Sequence, residues 1–533
     1  MPLKLQKNTG TYPAPVPPGG TGTPPTVVLV TPTATTGIAP HSVIAQGFGT
    51  TAGNSAITSY AFDWGDGTAV TNATKNINGT NVPIPIAYHR YTAAGTYTLS
   101  LTVADVNGNL VTQTRTITVT ARPAHTVTIN PGDNITNALN NAAVGAIIKI
   151  NAGTYTATGS WNPKNDQVVF ANGAVTVSGG GTVGTFAAFM NTGATGVRVQ
   201  GLRITAFSFW ALYFNTGSAI FQDCEVDTCG VNGTVSGGLN GYLASVIVLD
   251  NCHFHDNKSY GMAGGSGATH YVMGGEYDHN FNDTSGSFSP LTDDGVWKNV
   301  HVPADYVVGV NAHDNQGHAL WWDGSNVNVY VCLCTVTSNY GNGIFSEINN
   351  AAAGGVAMNL SGNLDGSGFS FRWLFNTLTG NGYPATSFFP TGNIYPANLF
   401  VSKSDKIEIA YNWIDGGAHG IALDYQVSRA EGHNLANISV HDNDIRLRET
   451  GASGAGSGAG LVGFHNSFAG TAYSLTAVTF SNNHYFAAHD NATWEHFIVY
   501  TGTSEVNNTF AQWKANGYDT VGSTMALDTA WPH

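Results

Sequence analysis

The chain is poor in charge. Of its 533 residues, 10 % are Asp, Glu, Lys or Arg, and 19 basic residues face 33 acidic ones, for a formal net charge of −14. So few Lys and Arg cannot build the basic face that a phosphate backbone needs, so no nucleic-acid partner is expected. Helices rely on Glu, Lys, Ala and Leu. A surface made instead of Asn, Thr, Ser and 66 glycines points to a turn-rich β protein. Cysteine is scarce too: the five copies match no zinc spacing. Cys332 and Cys334 share one face of a strand-like run and read as buried apolar fillers. A Cys224–Cys252 bridge requires repeats that stack the two closely. No apolar run is long enough to span a membrane, and the opening MPLKLQKNTG lacks an apolar h-region, so no export signal is expected. P-loop, dinucleotide fingerprint, GxSxG elbow and CxxC centre are all missing.

What is present divides the chain into three stretches. Hydrophobic residues reach 42 %, enough for extensive cores. Residues 1–25 are rich in Pro, Gly and Thr and read as an extended docking segment or linker. Residues 26–121 alternate with period two in short runs such as TVVLVTPT and TYTLSLTVAD, which predicts a β-sandwich. SYAFDWGDGT followed by HRYTAAGTYTLSLTVAD resembles the PKD domain, an immunoglobulin-like module, through Asp63, Trp64, Gly65, Asp66, Gly67, His89, Tyr91, Gly95 and Tyr97. Trp64 is expected to fill the core and Asp66-Gly67 to make a tight turn. The resemblance implies a spacer or adhesion module.

Residues 126–533 read differently. DNITNALNNAAVGAIIKINAGTY predicts an amphipathic cap helix over 133–145, a turn and a strand, and is similar to the opening of pectin-lyase-like right-handed β-helices. Repeats follow: IVLDNCHFHDN, YVMGGEYDHN, VYVCLCTVTSN and FRWLFNTLTGN place Cys252, Gly275, Cys334 and Asn376 five residues before Asn257, Asn280, Asn339 and Asn381. Steps of 23 to 28 residues, longer later, mean a solenoid with inserted loops. Cys252, Gly275 and Cys334 are expected in one inward column. The segment from about 505 to 533 reads as a C-terminal cap, with Trp513 covering the last coil. The fold class is therefore all-β: an N-terminal sandwich followed by a right-handed parallel β-helix.

The chemistry is sought in GHALWWD and GNGIFSE. Asp323 lies 13 residues after Val310, and Glu347 lies 13 after Cys334. Equal offsets predict neighbouring coils, and AHGIALD (418–424) repeats the phrase with Asp424. Like charges about 5 Å apart repel, raise one pKa or call for a cation or ligand. Two readings stand: a solvated polar turn repeated with its backbone, or an acidic site. Trp321 and Trp322 must face opposite ways, so one lies outside beside the carboxylates, as a sugar-stacking residue would. Tyr425 adjoins Asp424, and His318 is placed to act as acid or base. The candidate catalytic set is Asp323, Glu347, His318 and Asp424. The candidate substrate-binding set is Trp321, Trp322, Arg372 and Tyr425. No motif marks Arg372, Arg429, Lys258 or Lys298 as a lyase base, whereas a hydrolase needs only two carboxylates. The many histidines are spread by the repeat and predict no metal centre. No cofactor is fixed, and calcium is compatible with the carboxylates.

The whole resembles bacteriophage minor tail proteins and tailspikes. That resemblance implies binding of a host surface polysaccharide, with or without its cleavage, contacts to other tail proteins through the N-terminal segment, a homotrimer, and a virion location. The alternative is a secreted bacterial polysaccharide lyase or glycoside hydrolase of the pectin-lyase-like class. A third reading is a structural adhesin without catalysis.

Overall fold

A computed structural model describes residues 22–181, 187–231, 236–243, 245–264, 267–280, 297–299, 304–324, 326–347, 369–382, 397–417, 419–425, 435–447, 462–466, 478–487, 497–500, 505–527, 530–531 and 533. Most of the expected docking segment, 1–21, lies outside these residues. The chain separates into two compact units at Ala124–His125.

In the N-terminal unit the period-two runs form strands because alternate side chains have a core to enter. A four-stranded sheet takes the order Thr36–Ile38, Leu110–Thr120, Gly95–Asp105, Ile57–Asp63, and His41–Gln46 pairs antiparallel with Ile86–Tyr91. Leu99, Leu101 and Val103 point one way along a single strand, at essentially zero exposure, onto Val43, Ile117 and Trp64. Trp64 is 1 % exposed, stacks on His89 at 4.8 Å and donates from Nε1 to Thr71 Oγ1 at 3.0 Å. The Asp-Gly turn follows from side-chain capping: Asp66 Oδ1 accepts the Thr68 hydroxyl at 2.6 Å, and Oδ2 pairs with His89 Nε2 at 2.7 Å. Those bonds, outweighing partial burial, hold the Asp66 carboxyl below its usual range.

The second unit is a parallel β-helix. A helix over Ile135–Asn141 precedes it, shorter than predicted, and starts where Asn134 Oδ1 accepts the Asn137 amide at 2.9 Å. Its Ile135 and Leu139 are buried in the same core as Ile148 and Ile150 of the first long strand. From there each coil contributes up to three short strands. They stack into three ladders, exemplified by Val329–Cys332 in the first, Thr335–Thr337 in the second and Ile344–Glu347 in the third. Parallel in-register pairing about 4.8 Å apart aligns like residues into columns. Core apolar columns such as Val307, Val331, Trp373 and Ile409 result.

Two internal asparagine ladders tie the corners. Asn257, Asn280, Asn315, Asn339, Asn381 and Asn398 are fully or almost fully buried. Each passes its Nδ2 to the next Oδ1 at 2.7–3.2 Å. Asn376, Asn412, Asn443 and Asn483 form the second ladder. That second column begins with Cys224, Cys252, Gly275, Val310 and Cys334, which occupy the same corner in successive coils. Cys252, Val310 and Cys334 belong to the core, and a Cβ on Gly275 would meet the Cys252 carbonyl oxygen at 2.3 Å. All five cysteines are buried and none forms a disulfide, Cys224 and Cys252 lying against each other without a bridge. At the far end Thr509 and Gln512 cap a helix over Phe510–Ala515, whose fully buried Trp513 stacks on Phe497 at 5.1 Å.

A candidate glycan site on the third ladder

The third ladder contains Leu320–Asp323, Ile344–Glu347, Ala397–Ser402, His419–Tyr425 and Val462–Asn466, stacked in that order. Along each strand alternate residues enter the main core: Leu320 and Trp322, then Ile344, then Leu399 and Val401, then Ile421 and Leu423. The intervening residues belong to the opposite face and make two columns.

The first outer column is aromatic. Trp321 stacks on Phe345 at 5.2 Å, and Phe345 meets Phe400 at 4.7 Å, with Ala422 above. The two tryptophans do face opposite ways. Trp322 crosses the interior and donates from Nε1 to Asp305 Oδ2 at 2.7 Å, while Asp305 Oδ1 holds His270 Nδ1 at 2.8 Å. Trp322 is therefore a core anchor with no exposure and cannot meet a substrate, which corrects its place in the binding set. Trp321 is only 7 % exposed, so it backs the site as part of an aromatic wall rather than standing as an open platform.

The second outer column is acidic. Asp323 pairs with Glu347, as the equal offsets predicted, but Glu347 then pairs with Ser402 and only Ser402 with Asp424. The column thus reads Asp323, Glu347, Ser402, Asp424, and His465 follows by register. All four are at least nine-tenths buried. His318 borders the aromatic wall, 5.1 Å from the rings of both Trp321 and Phe345. Its Nδ1 accepts the Asn342 amide at 2.9 Å, which puts the ring proton of the neutral imidazole on Nε2. Tyr425 ends its strand beside Asp424, and its side chain lies outside the described residues.

Arg372 is not part of this group. It sits on the first ladder, paired with Tyr330 and Glu408, and its Nε donates to Glu408 Oε2. Glu408 Oε1 also pairs with His441 Nε2 at 3.2 Å, and His441 Nδ1 with Asp442 Oδ2 at 2.7 Å. The guanidinium is consumed by an ion-pair network on a different ladder, so its assignment to substrate binding is corrected. Arg429 lies outside the described residues, Lys258 is exposed on a turn, and Lys298 is in backbone register with Trp321.

Sequence reading missed two neighbours of the acid column. Lys403 directly follows Ser402, has φ of 42°, donates its amide to Asp424 O at 3.0 Å and is 2 % exposed. Asp405, two residues on, is pushed up by burial to about 6. Nothing in SKSD announces either property, because both come from where the corner folds.

The histidines are more ordered than their spread suggested. His255-Asp256-Asn257, His313-Asp314-Asn315 and His441-Asp442-Asn443 are one local motif used three times, twice where the second ladder ends and once where the first ends. The Asp takes a left-handed φ of 51–52° and binds His Nδ1 at 2.7–2.8 Å, while the Asn enters a ladder. Each His Nε2 then reaches a glutamate of an earlier coil: Glu225, Glu276 or Glu408.

Compared with known proteins, residues 23–120 match the PKD domain family model. No curated protein matches the chain. Among solved structures, a PKD1 domain of Vibrio anguillarum Epp is 28 % identical over 19 % of this chain and 100 % of that one, with a TM-score of 0.14. The Yersinia enterocolitica family 28 exopolygalacturonase is 8 % identical over 95 % of this chain and 99 % of that one, with a TM-score of 0.43. A structure of carbohydrate-binding modules from the β-sandwich superfamily is 22 % identical over 21 % of this chain, which spans only 41 % of that one, with a TM-score of 0.17. The N-terminal unit thus matches the PKD domain in sequence and folds as the expected β-sandwich.

Proposed function

We propose that the β-helix binds a polysaccharide along the outer face of its third ladder and hydrolyses it with Asp323 and Glu347. The observation that carries this reading is their direct pairing on adjacent coils, beside the Trp321–Phe345–Phe400 wall. Adjacent coils hold paired residues about 4.8 Å apart. That spacing suits the roughly 5–5.5 Å carboxyl separation of a retaining glycosidase, with a nucleophile and a general acid. Glu347, at 3 % exposure, is the more buried of the pair and is assigned as proton donor; Asp323 is the nucleophile. Lys403 follows Ser402 of the column directly and is buried beside it. His318 stands at the edge of the aromatic wall.

The proposal places this activity on a virion tail, directed at host surface glycan. What supports it is the combination of an adhesion-type PKD sandwich, an elongating solenoid and a Pro/Gly/Thr-rich segment suited to docking on another tail protein. The test is incubation with host-wall glycans of the parent, Asp323→Asn and Glu347→Gln, reading new reducing ends, unsaturated ends by ultraviolet absorbance, and affinity. Loss of turnover in both variants with retained fold supports the pair. Parental cleavage in both removes it, and unsaturated products would replace hydrolysis by elimination. Mass spectrometry of purified virions tests the location.

A further inference from the structure

The second ladder carries a separate cluster. Glu225 and Asp227 share one strand, and His255 lies on the next, opposite Asp227. One ligand atom from each of the three falls within 4.8 Å of the others. The three are held in different ways. Asp227 is 1 % exposed, and its Oδ1 accepts the hydroxyls of Thr205 and Thr228 at 2.6 and 2.8 Å, which leaves Oδ2 turned to the cluster. The Nδ1 of His255 is bound by Asp256 at 2.7 Å, so Nε2 is aimed at Glu225 Oε1, 3.2 Å away. A carboxylate on the far nitrogen is how ligating imidazoles are oriented. Glu225, 39 % exposed, closes the cluster from the solvent side.

A cation already stands at the focus. Arg203, one coil earlier, places Nε 3.1 Å from Glu225 Oε1 and 2.7 Å from Asp227 Oδ2. Its Nη2 also donates to Asp227 Oδ1 at 3.2 Å, but the side chain is 46 % exposed and can swing into water once a metal ion takes over the charge of the buried Asp227 carboxylate. We propose that Glu225, Asp227 and His255 form a binding site for a divalent transition-metal ion, with the Arg203 guanidinium as its built-in competitor. One imidazole with two carboxylates suits Zn2+, Co2+ or Mn2+ better than Ca2+, which prefers oxygen alone. Three protein ligands leave a coordination position open to solvent. The site is independent of the acid column on the third ladder.

Competition makes an unusual demand: removing an ion-pair partner must strengthen metal binding. The experiment titrates the full chain with Co2+, followed by its visible absorption, and displaces it with Zn2+. Arg203→Ala is expected to bind at least tenfold more tightly than the parent, and His255→Gln and Glu225→Gln at least tenfold more weakly. Glu225→Gln changes a partly exposed side chain, so it decides the matter even where His255→Gln fails to fold. Arg203→Ala binding no more tightly than the parent, or Glu225→Gln keeping parental affinity, overturns the site.

Discussion

Stability above neutral pH should be limited in part by one histidine. His441 is flanked by Glu408 and Asp442, and its side chain is 19 % exposed, stacked edge-on to Tyr411 at 5.6 Å. Burial opposes the charged ring, but the hydrogen bonds and charges of Asp442 and Glu408 outweigh it and push the group up to about 9. An unfolded histidine titrates near 6.5, so the folded chain holds this proton more tightly. The sign follows: the stabilisation is complete below about pH 6.5 and is lost as pH rises through about 9. The rise from about 6.5 to about 9 corresponds to roughly 3 kcal/mol at most, lost at about 1.4 kcal/mol for each step of one in pH across that window. His441→Gln should remove this term while leaving Glu408 paired with Arg372. Urea unfolding of parent and variant at pH 6, 7.5 and 9 is the assay. The parent should lead by about 2–3 kcal/mol at pH 6 and by far less at pH 9. A constant gap across the three pH values would refute the argument, since a gap of packing alone does not titrate.

Other outcomes follow from the same geometry. Asn339→Ala should cost about 2–4 kcal/mol, because the Asn315 amide and Nδ2 both lose the Asn339 Oδ1 acceptor and Asn381 Oδ1 loses one of its two donors inside the solenoid; urea midpoints measure this. Trp322→Phe should cost about 1–3 kcal/mol by withdrawing the indole donor from buried Asp305, and Trp321→Phe, which donates nothing to that carboxylate, should cost less in the same melts. In the PKD unit, Gly65→Ala should destabilise by more than about 1 kcal/mol, since φ is +73° and the new Cβ would fall 2.5 Å from Thr98 O; loss of a protected core in hydrogen exchange checks it. Burial pushes the thiols of Cys229 up to about 12 and of Cys332 higher still, so a thiol reagent should label neither until denaturant is added.

Sequence alone determined the architecture, and for a physical reason. A stacked coil repeats its backbone, so inward Val, Ile and Leu, corner Asn and Gly, and the Asp323–Glu347 offset all recur at intervals that can be counted. The PKD turn was equally readable, because Asp66 and Gly67 act on their own neighbours. Tertiary structure alone decided what lies between coils and across the interior. Ser402 enters the acid column because an insertion follows Glu347, so Asp424 stands two coils beyond it rather than next to it. Trp322 turns inward because Asp305 waits on another ladder. Arg372 leaves the candidate site because Glu408, its neighbour on the first ladder, takes its charge. Lys403 gains its place only once the corner at Ser402 has closed over it. Local periodicity fixes which residues share a face; which charges meet there depends on loop lengths and on partners dozens of residues away, and those are settled only when the coils stack.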